Sequence, residues 1–463
     1  MTRNAIGKYR WTICGLLFFA TTINYLDRQV LSLLAPSLTK EFGWSNTDYA
    51  NIAAAFQFIY AVALLFAGRI VDKLGTKRSY HLAILVWSLG AIAHAYSIAV
   101  GEAVNSIFAT LGIAAVPVSV AGFIVARAIL AIGEAGNFPA AIKATAEYFP
   151  RTERSFATGI FNSGANIGAI LAPLTVPIIA AIWGWQAAFI WIGAIGFVWM
   201  IFWAIFFDDP ARQRRLGKAE LDYIQAGEER TRVPAEAEAP VRKTGWLELM
   251  TMRTTWAFAI GKFLTDGVWW FFLFWLPKYL STTYEITPTQ MALPLTVLYS
   301  MTMVGSIGGG WWPTVFMRRG DSVIDARLKA MLRIAFFPLV VLAAQPLGHY
   351  SYWVPVVLIG IGASAHQAWS ANLLTTASDL FPKHAVGSVV GIGGLLGGIG
   401  GVLVTKIGGQ LFDYYGALGQ IQTGYMIMFS FCALAYLLAW GIMKVLIPAH
   451  KVPPLPAELA NAA

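Results

Sequence analysis

The sequence predicts an all-α membrane protein with twelve transmembrane helices in two six-helix halves. Of its 463 residues, 57% are hydrophobic and only 12% are charged, too few charges to cover the surface of a soluble protein. About twelve apolar segments are each long enough to cross the ~30 Å hydrocarbon core of a bilayer as a helix. One long polar stretch separates the first six segments from the last six.

The apolar segments place the predicted helices in order along the chain. Their approximate bounds are 11–34, 48–70, 79–100, 118–143, 155–182, 185–207, 254–280, 289–317, 328–346, 351–376, 385–411 and 419–447. Cys14 and Cys432 both fall inside apolar segments, which implies neither a disulfide framework nor a metal cluster. We therefore expect no cofactor and no metal site. The first segment lacks a small-residue cleavage site and is expected to be retained.

Basic residues are concentrated in every second connection between the predicted helices. They crowd the N-terminus and stretches such as 69–78 and 212–218, whereas the intervening connections are nearly bare. The positive-inside rule then predicts that both termini are cytoplasmic. The formal charge of +9 is explained by this topology, and we expect no nucleic-acid partner.

Two similar halves flank the polar stretch. Residues 1–207 form the predicted N-terminal half, 208–253 a cytoplasmic linker with a short amphipathic helix around Lys218–Arg230, 254–447 the C-terminal half and 448–463 a cytoplasmic tail. The stretch from Glu147 aligns with that from Asp379 without a gap and matches Gly159 with Gly391. Parallel six-helix repeats are typical of transporters whose halves rock about a midplane site.

The stretch "GRIVDKLGTKR" connects the second and third predicted helices. It resembles the signature of the major facilitator superfamily and is complete at every position: Gly68, Asp72, Lys73, Gly75, Lys77 and Arg78. The resemblance implies a latch at the cytoplasmic gate, in which Asp72 pairs with cations and Gly75 permits a tight turn. One departure is the segment 97–119, which is longer than the resemblance implies and is expected to form an extra extracellular helix or cap.

Charged residues interrupt two of the apolar segments. Asp27 and Arg28 lie in the first and Arg127 and Glu134 in the fourth, where ionisable groups are expensive and usually functional. Helical spacing places Asn24 and Tyr25 on the same face as Arg28, and it places Arg127 and Glu134, which are two turns apart, on one face of the fourth segment. Internal salt bridges that lock helices together are the alternative, but buried ion pairs contribute little to stability. We expect a hydrated chamber in which a guanidinium binds a carboxylate and an acid carries a proton.

The stretches "INYLDRQVLSLLAP" and "GEAGNFPAAIKATAEYFP" resemble the anion:cation symporter branch of the superfamily, most closely its bacterial hexuronate transporters. The resemblance implies import of sugar acids such as galacturonate and glucuronate together with protons, across a bacterial cytoplasmic (inner) membrane, by a functional monomer. By position it assigns proton coupling to Asp27 and Glu134 and anion binding to Arg28.

Other polar and aromatic residues near the middle of predicted helices complete the candidate substrate site. A neutral, hydrogen-bonded His366, aromatic residues that only pack, and a local pair of Lys262 with Asp266 are the structural alternatives. The candidates besides Tyr25 and Arg28 are Gln57, Tyr60, Arg127, Asn162, Asn166, Trp269, Tyr299, His366, Gln367, Trp369, Ser370 and Asn372.

Rival functions remain open within the same fold. A carrier of aldonates, aldarates or aromatic acids would differ only in the shape of its pocket. A multidrug antiporter is disfavoured because Arg28 and Arg127 would repel cationic substrates. An enzyme is disfavoured because the sequence contains no G-x-S-x-G, H-E-x-x-H or Walker pattern.

Overall fold

The computed structural model describes residues 7–229, 246–381 and 383–447. Within this part of the chain the regular elements are all helical. The α-helices are α1 (Tyr9–Phe42), α2 (Asn46–Leu74), α3 (Thr76–Ala93), α4 (Ser97–Thr110), α5 (Val118–Glu134), α6 (Asn137–Tyr148), α7 (Arg151–Trp183), α8 (Trp185–Phe206), α9 (Lys218–Glu229), α10 (Trp246–Thr251), α11 (Arg253–Tyr284), α12 (Ala292–Met317), α13 (Val323–Phe336), α14 (Ala344–Leu347), α15 (Trp353–Leu380), α16 (Lys383–Ala417) and α17 (Ile421–Leu446).

Membrane-length helices account for the predicted spans. Ten helical segments of the described chain are long and apolar enough to cross a membrane. The helices α1 and α15 have 34 and 28 residues and carry candidate site residues within their apolar stretches. These ten segments and two helices correspond in order to the twelve predicted spans, and eight of them are longer than predicted while four are slightly shorter. The predicted all-α membrane fold is confirmed.

Two stretches predicted to be helical outside the twelve spans are helical. The first, α4, continues directly from α3 within the single membrane-length segment Thr76–Thr110, so it extends the third span, and an extracellular position for it stays a prediction. The amphipathic helix predicted in the linker is α9. The rest of that linker from 230 to 245 and the predicted tail 448–463 lie outside the described residues.

The chain divides into two compact units. The first unit comprises Met1–Leu31 and Val62–Arg242, and the second comprises Ser32–Ala61 and Lys243–Ala463. In the first unit α3 packs against α5 and α8, and in the second α11 packs against α16 and α17 while α12 packs against α15. The segment Ser32–Ala61, which contains the end of α1 and the start of α2, thus belongs to the second unit. The bounds of the two halves stay a prediction.

Candidate functional site

A break in a membrane-length helical segment sets the position of Glu134. This residue ends α5, and the chain turns before α6 begins. Pro139 explains the break, because it has no N–H to donate to the carbonyl four residues earlier. At Gly133 a Cβ would collide with the backbone of Trp87 on α3. The glycine therefore allows α5 to approach α3 closely, and the carboxyl group of Glu134 is held inside the first unit.

An ion pair joins α1 to α5. Arg28 Nε and Nη2 donate to Glu134 Oε2 at 3.0 and 2.7 Å. Arg28 is 3% exposed and Glu134 is fully buried. Arg28 also donates to Asn24 Oδ1 at 3.4 Å and lies 4.8 Å from the ring centroid of Tyr25. The predicted shared face of Asn24, Tyr25 and Arg28 is therefore present, with the guanidinium covered by an aromatic ring.

Two further charged residues surround this pair. Arg127 is fully buried, and its Nη1 and Nη2 both lie 3.4 Å from the backbone carbonyl of Arg28, to which they donate. Asp27 is 2% exposed, and neither of its carboxyl oxygens has a hydrogen-bond partner among the described residues. Both Arg127 and Glu134 are close enough to act electrostatically on Asp27. Two basic and two acidic side chains are thus brought together inside one unit, as predicted.

The expectation that these groups line a hydrated chamber is wrong for this conformation. Arg28, Arg127 and Glu134 are at most 3% exposed, and the guanidinium of Arg28 is paired with Glu134 inside the protein. Two other candidates are more exposed than these three residues: Tyr25 is partly exposed and Asn162 is exposed. In this conformation an anion could reach Arg28 only after the ion pair and its cover had opened.

The second unit has its own polar cluster, which centres on His366 of α15. The ring of Trp269 stacks on the His366 imidazole with centroids 5.2 Å apart and an interplanar angle of 13°. His366 Nδ1 lies 2.9 Å from the hydroxyl of Tyr436. Trp369 is fully buried with its ring edge-to-face against Tyr436. Sequence reasoning missed Tyr436, because a tyrosine in the apolar α17 gives no sign of which helix it will meet.

Several other candidates connect helices of the second unit. Gln57 is fully buried and donates from Nε2 to Thr405 Oγ1 at 2.9 Å, which joins α2 to α16. Asn372 is also fully buried and donates to the carbonyl of Gly309 at 2.7 Å, which joins α15 to α12. The amide nitrogens of both residues are therefore engaged within the protein.

The remaining candidates differ in burial. Tyr60 is partly exposed and stacks on Phe56, whereas Tyr299 is 2% exposed and its hydroxyl has no hydrogen-bond partner in the described chain. Partly exposed side chains at the middle of their helices are Asn166, Gln367 and Ser370.

The signature motif lies at the end of α2 and the start of α3. Gly75 has φ 77° and ψ 160°, a conformation that is essentially restricted to glycine, so the predicted tight turn is confirmed. Asp72 Oδ1 pairs with Lys143 Nζ at 3.1 Å, and Lys77 pairs with Asp208 at 3.4 Å. Gly68 lies in the body of α2, and Lys73 and Arg78 are exposed.

This arrangement of membrane-length helices with charged groups buried midway along α1 and α5 defines a membrane transporter. In the described residues no group of three or more His, Cys, Asp or Glu side chains could hold a metal ion. The chain belongs to the Major Facilitator Superfamily, because residues 17–405 match the sequence profile of that family. It is therefore a transporter and not an enzyme.

Two named relatives agree with this family, and a solved structure agrees with the fold. The hexuronate transporter of Escherichia coli K12 is 30% identical over 441 residues, which cover 95% of each chain. The galacturonate transporter of Dickeya chrysanthemi is 30% identical over 68% of this chain and 84% of its own. A bacterial homologue of the human lysosomal transporter Spinster superposes with a TM-score of 0.73 at 17% identity, over 96% of this chain and 100% of its own. That last similarity shows the fold.

Proposed function

We propose that this protein is a proton-coupled symporter that imports a sugar-acid anion, specifically a hexuronate, by alternating access. The observation that carries the proposal is the buried pair of Arg28 with Glu134, whose closest atoms are 2.7 Å apart. A guanidinium is well matched to a carboxylate through two parallel hydrogen bonds. The relatives named hexuronate and galacturonate transporters support the choice of substrate.

Coupling follows from competition for one guanidinium. While Glu134 is ionised it occupies Arg28, and an incoming carboxylate finds no free cation. A proton that binds to Glu134 removes its charge and releases Arg28, so the substrate carboxylate can replace the side chain. On the other side of the membrane Glu134 loses its proton, takes Arg28 back and expels the anion. Proton and anion binding are thereby linked through a shared partner.

A second proton would make uptake sensitive to the membrane potential. One proton cancels the charge of a monovalent anion, so the potential contributes nothing. If Asp27, whose oxygens have no hydrogen-bond partner among the described residues, carries a second proton, one net positive charge enters. At ~100 mV that charge contributes about 2.3 kcal/mol.

The cellular setting belongs to the same proposal. The basic connections place both termini in the cytoplasm by the positive-inside rule, and the bacterial relatives favour a bacterial cytoplasmic membrane. Two units within one chain supply both parts of an alternating-access carrier, so the protein would function as a monomer. The latch expected at Gly68–Arg78 would stabilise one of its two states.

An aldonate is the second candidate substrate. The D-galactonate transporter of Escherichia coli O6:H1 is 27% identical over 95% of this chain and 97% of its own. Galactonate presents the same carboxylate chemistry as a hexuronate and differs in having an open chain. The strength with which galactonate and a hexuronate each inhibit uptake of the other shows which of the two the protein prefers.

Uptake by purified protein in proteoliposomes tests the proposal. Labelled galacturonate, glucuronate and galactonate are offered with and without an outside-acid pH gradient, and with an inside-negative potential. We expect saturable hexuronate uptake that both gradients increase. Uptake that neither gradient changes would overturn the coupling, and uptake of none of these acids would overturn the substrate class.

Arg28→Ala tests the anion site in the same vesicles. We expect substrate binding to be lost, because the substitution removes the guanidinium that donates two hydrogen bonds to the carboxylate. The exposed Arg333, which lies over the ring of Phe316, provides the matched control Arg333→Ala with expected normal binding. Unaltered affinity in Arg28→Ala would remove Arg28 from the site.

A further inference from the structure

One face of α11 carries a second ion pair inside a membrane-length helix. Lys262 Nζ lies 2.7 Å from Asp266 Oδ2, one turn further along. The side chains are 12% and 19% exposed, which is more than any charged group around Arg28. Trp269 follows on the same face at the next turn. The local pair suggested by the sequence is therefore present, and it is partly accessible.

Glycines of α16 make room for this pair. A Cβ at Gly393 would collide with the ring of Phe258 and lie 3.2 Å from Lys262 Cδ. A Cβ at Gly397 would collide with the carboxyl group of Asp266. Part of the glycine-rich stretch of α16 thus packs directly against the two charged side chains. A larger residue at either position would displace the pair.

The partial exposure of the pair argues for a polar environment rather than lipid. A charged pair that faced acyl chains at mid-span would be costly. Lys262 is close enough to act electrostatically on His366, whose ring stacks on Trp269. Asp266 similarly acts on Tyr436. The pair and the His366 cluster are therefore electrostatically coupled within the second unit.

We propose that Asp266 is a specificity-determining residue, which restricts the substrate to acids with one carboxylate by neutralising Lys262. This inference rests on the proposed sugar-acid transport. The end of the substrate that lies at this cluster meets a pair without net charge. Hydroxyl groups can donate to Asp266 and accept from Lys262, whereas a second carboxylate would be repelled by Asp266 and would find Lys262 already occupied.

The prediction separates two groups of sugar acids with the same carbon skeleton. Galacturonate and galactonate each have one carboxylate, whereas galactarate has two, one at each end of the carbon chain. Relatives of this chain include transporters named for both groups, since the Escherichia coli K12 protein named as a probable galactarate/D-glucarate transporter is 26% identical over 87% of this chain. Family membership therefore leaves this choice open, and the ion pair decides it.

Competition against labelled galacturonate uptake in proteoliposomes measures the selectivity. In the unaltered protein we expect galactarate to inhibit at least ~10-fold more weakly than unlabelled galacturonate. Asp266→Asn frees Lys262 to bind a second carboxylate. The inhibition constant of galactarate divided by that of galacturonate should then fall by ~10-fold or more, equivalent to about 1.4 kcal/mol. In the double variant Lys262→Met/Asp266→Asn the stronger inhibition by galactarate should disappear, because the ammonium group of Lys262 that would bind the second carboxylate has been removed.

A matched ion pair elsewhere in the second unit provides the control. Arg327 Nε lies 2.7 Å from Asp379 Oδ2, and their side chains are 11% and 22% exposed. The pair equals that of Lys262 and Asp266 in length and is similar in side-chain exposure, but it joins the start of α13 to the end of α15. Asp379→Asn should leave the ratio of the galactarate and galacturonate inhibition constants unchanged.

Each outcome decides the inference. An unaltered protein that accepts galactarate as readily as galacturonate overturns it without any variant. A folded Asp266→Asn protein with the original ratio, or a double variant that keeps the stronger inhibition by galactarate, also overturns it. Asp266→Ser, made in parallel, replaces Asp266→Asn if the latter does not fold. Absence of uptake of every sugar acid by the unaltered protein would instead refute the proposed function itself.

Discussion

Glu134 holds Arg28 through only one of its two carboxyl oxygens. Arg28 Nε and Nη2 both donate to Oε2, while Oε1 has no hydrogen-bond partner among the described residues and is buried. An end-on contact of this kind leaves the second oxygen open to a proton without prior rupture of the ion pair. Protonation at Oε1 would then weaken the contact at Oε2, because the charge that strengthens both hydrogen bonds is lost.

Glu134→Gln should separate anion movement from proton coupling. Glutamine is isosteric with protonated glutamate, so Arg28 stays available to the substrate and exchange of labelled for unlabelled galacturonate should continue. Accumulation driven by a pH gradient should fall to the level of equilibration, since the side chain can no longer bind and release a proton. Both are measured by uptake into proteoliposomes, as counterflow and as net uptake.

The exposed Glu102 of α4 supplies the control for loss of a carboxylate. Glu102→Gln should accumulate galacturonate like the unaltered protein. Normal proton-driven accumulation by Glu134→Gln would defeat the coupling role of Glu134. Loss of exchange together with accumulation would show that Glu134 is needed for anion movement itself.

Asp27→Asn should abolish the response of uptake to membrane potential. The residue is 2% exposed and its oxygens are unpaired within the described chain, so it is costly to keep ionised. Without its proton the cycle carries one proton with each monovalent anion and moves no net charge. Imposing ~100 mV, inside negative, should then leave initial uptake unchanged, whereas the pH gradient still drives it. A retained voltage response would assign the second proton elsewhere.

The sequence predicted the parts of this site that depend on local spacing. The shared face of Asn24, Tyr25 and Arg28 follows from helical periodicity, and the ion pair of Lys262 with Asp266 follows from a one-turn separation. The positions of charges within apolar segments also sufficed to collect two acidic and two basic residues in one unit. These features depend on a single helix or on the exclusion of charge from lipid.

Features that depend on contacts between helices were not predictable in the same way. Spacing placed Arg127 and Glu134 on one face of one segment, but it could not show that Glu134 contacts Arg28 of α1. The hydrogen bond between Tyr436 and His366 likewise requires α17 to lie beside α15. The expected solvent access failed for the same reason, since a partner on another helix satisfied the guanidinium.

Two glycines of the signature motif should respond oppositely to alanine. Gly75 has φ 77° and ψ 160°, so Gly75→Ala forces a backbone conformation that costs ~1–3 kcal/mol. Gly68 lies within α2, and a Cβ there would meet no atom within 4 Å, so Gly68→Ala should be neutral or stabilise by up to ~1 kcal/mol. Thermal unfolding of the two variants in detergent compares them. Equal melting temperatures would contradict a conformational role for Gly75.

A polar cluster attaches the linker helix α9 to the starts of α1 and α7. The backbone N–H groups of Tyr9 and Arg10 both donate to the carboxylate of Glu220 at 3.1 Å. Arg10 Nε donates to Glu153 Oε2 at 2.8 Å, and the hydroxyl of Tyr223 donates to Glu153 Oε1 at 2.9 Å. Glu153 precedes the membrane-length part of α7, which begins at Ala157.

The attachment of α9 should weaken in acid. Although partial burial opposes the effect, hydrogen bonds from Arg10 and Tyr223 hold the pKa of Glu153 below its ordinary value. A lowered pKa in the folded state contributes stability that is present above the ordinary glutamate value of about 4.3 and is lost as the pH falls through the folded value.

Glu153→Gln should therefore melt at a lower temperature than the unaltered protein at pH 7. The difference should shrink as the pH falls below about 4, and Tyr223→Phe should lose only part of the pH 7 advantage. A difference in melting temperature that stays constant between pH 7 and that acidic range would mean that Glu153 does not act through its charge.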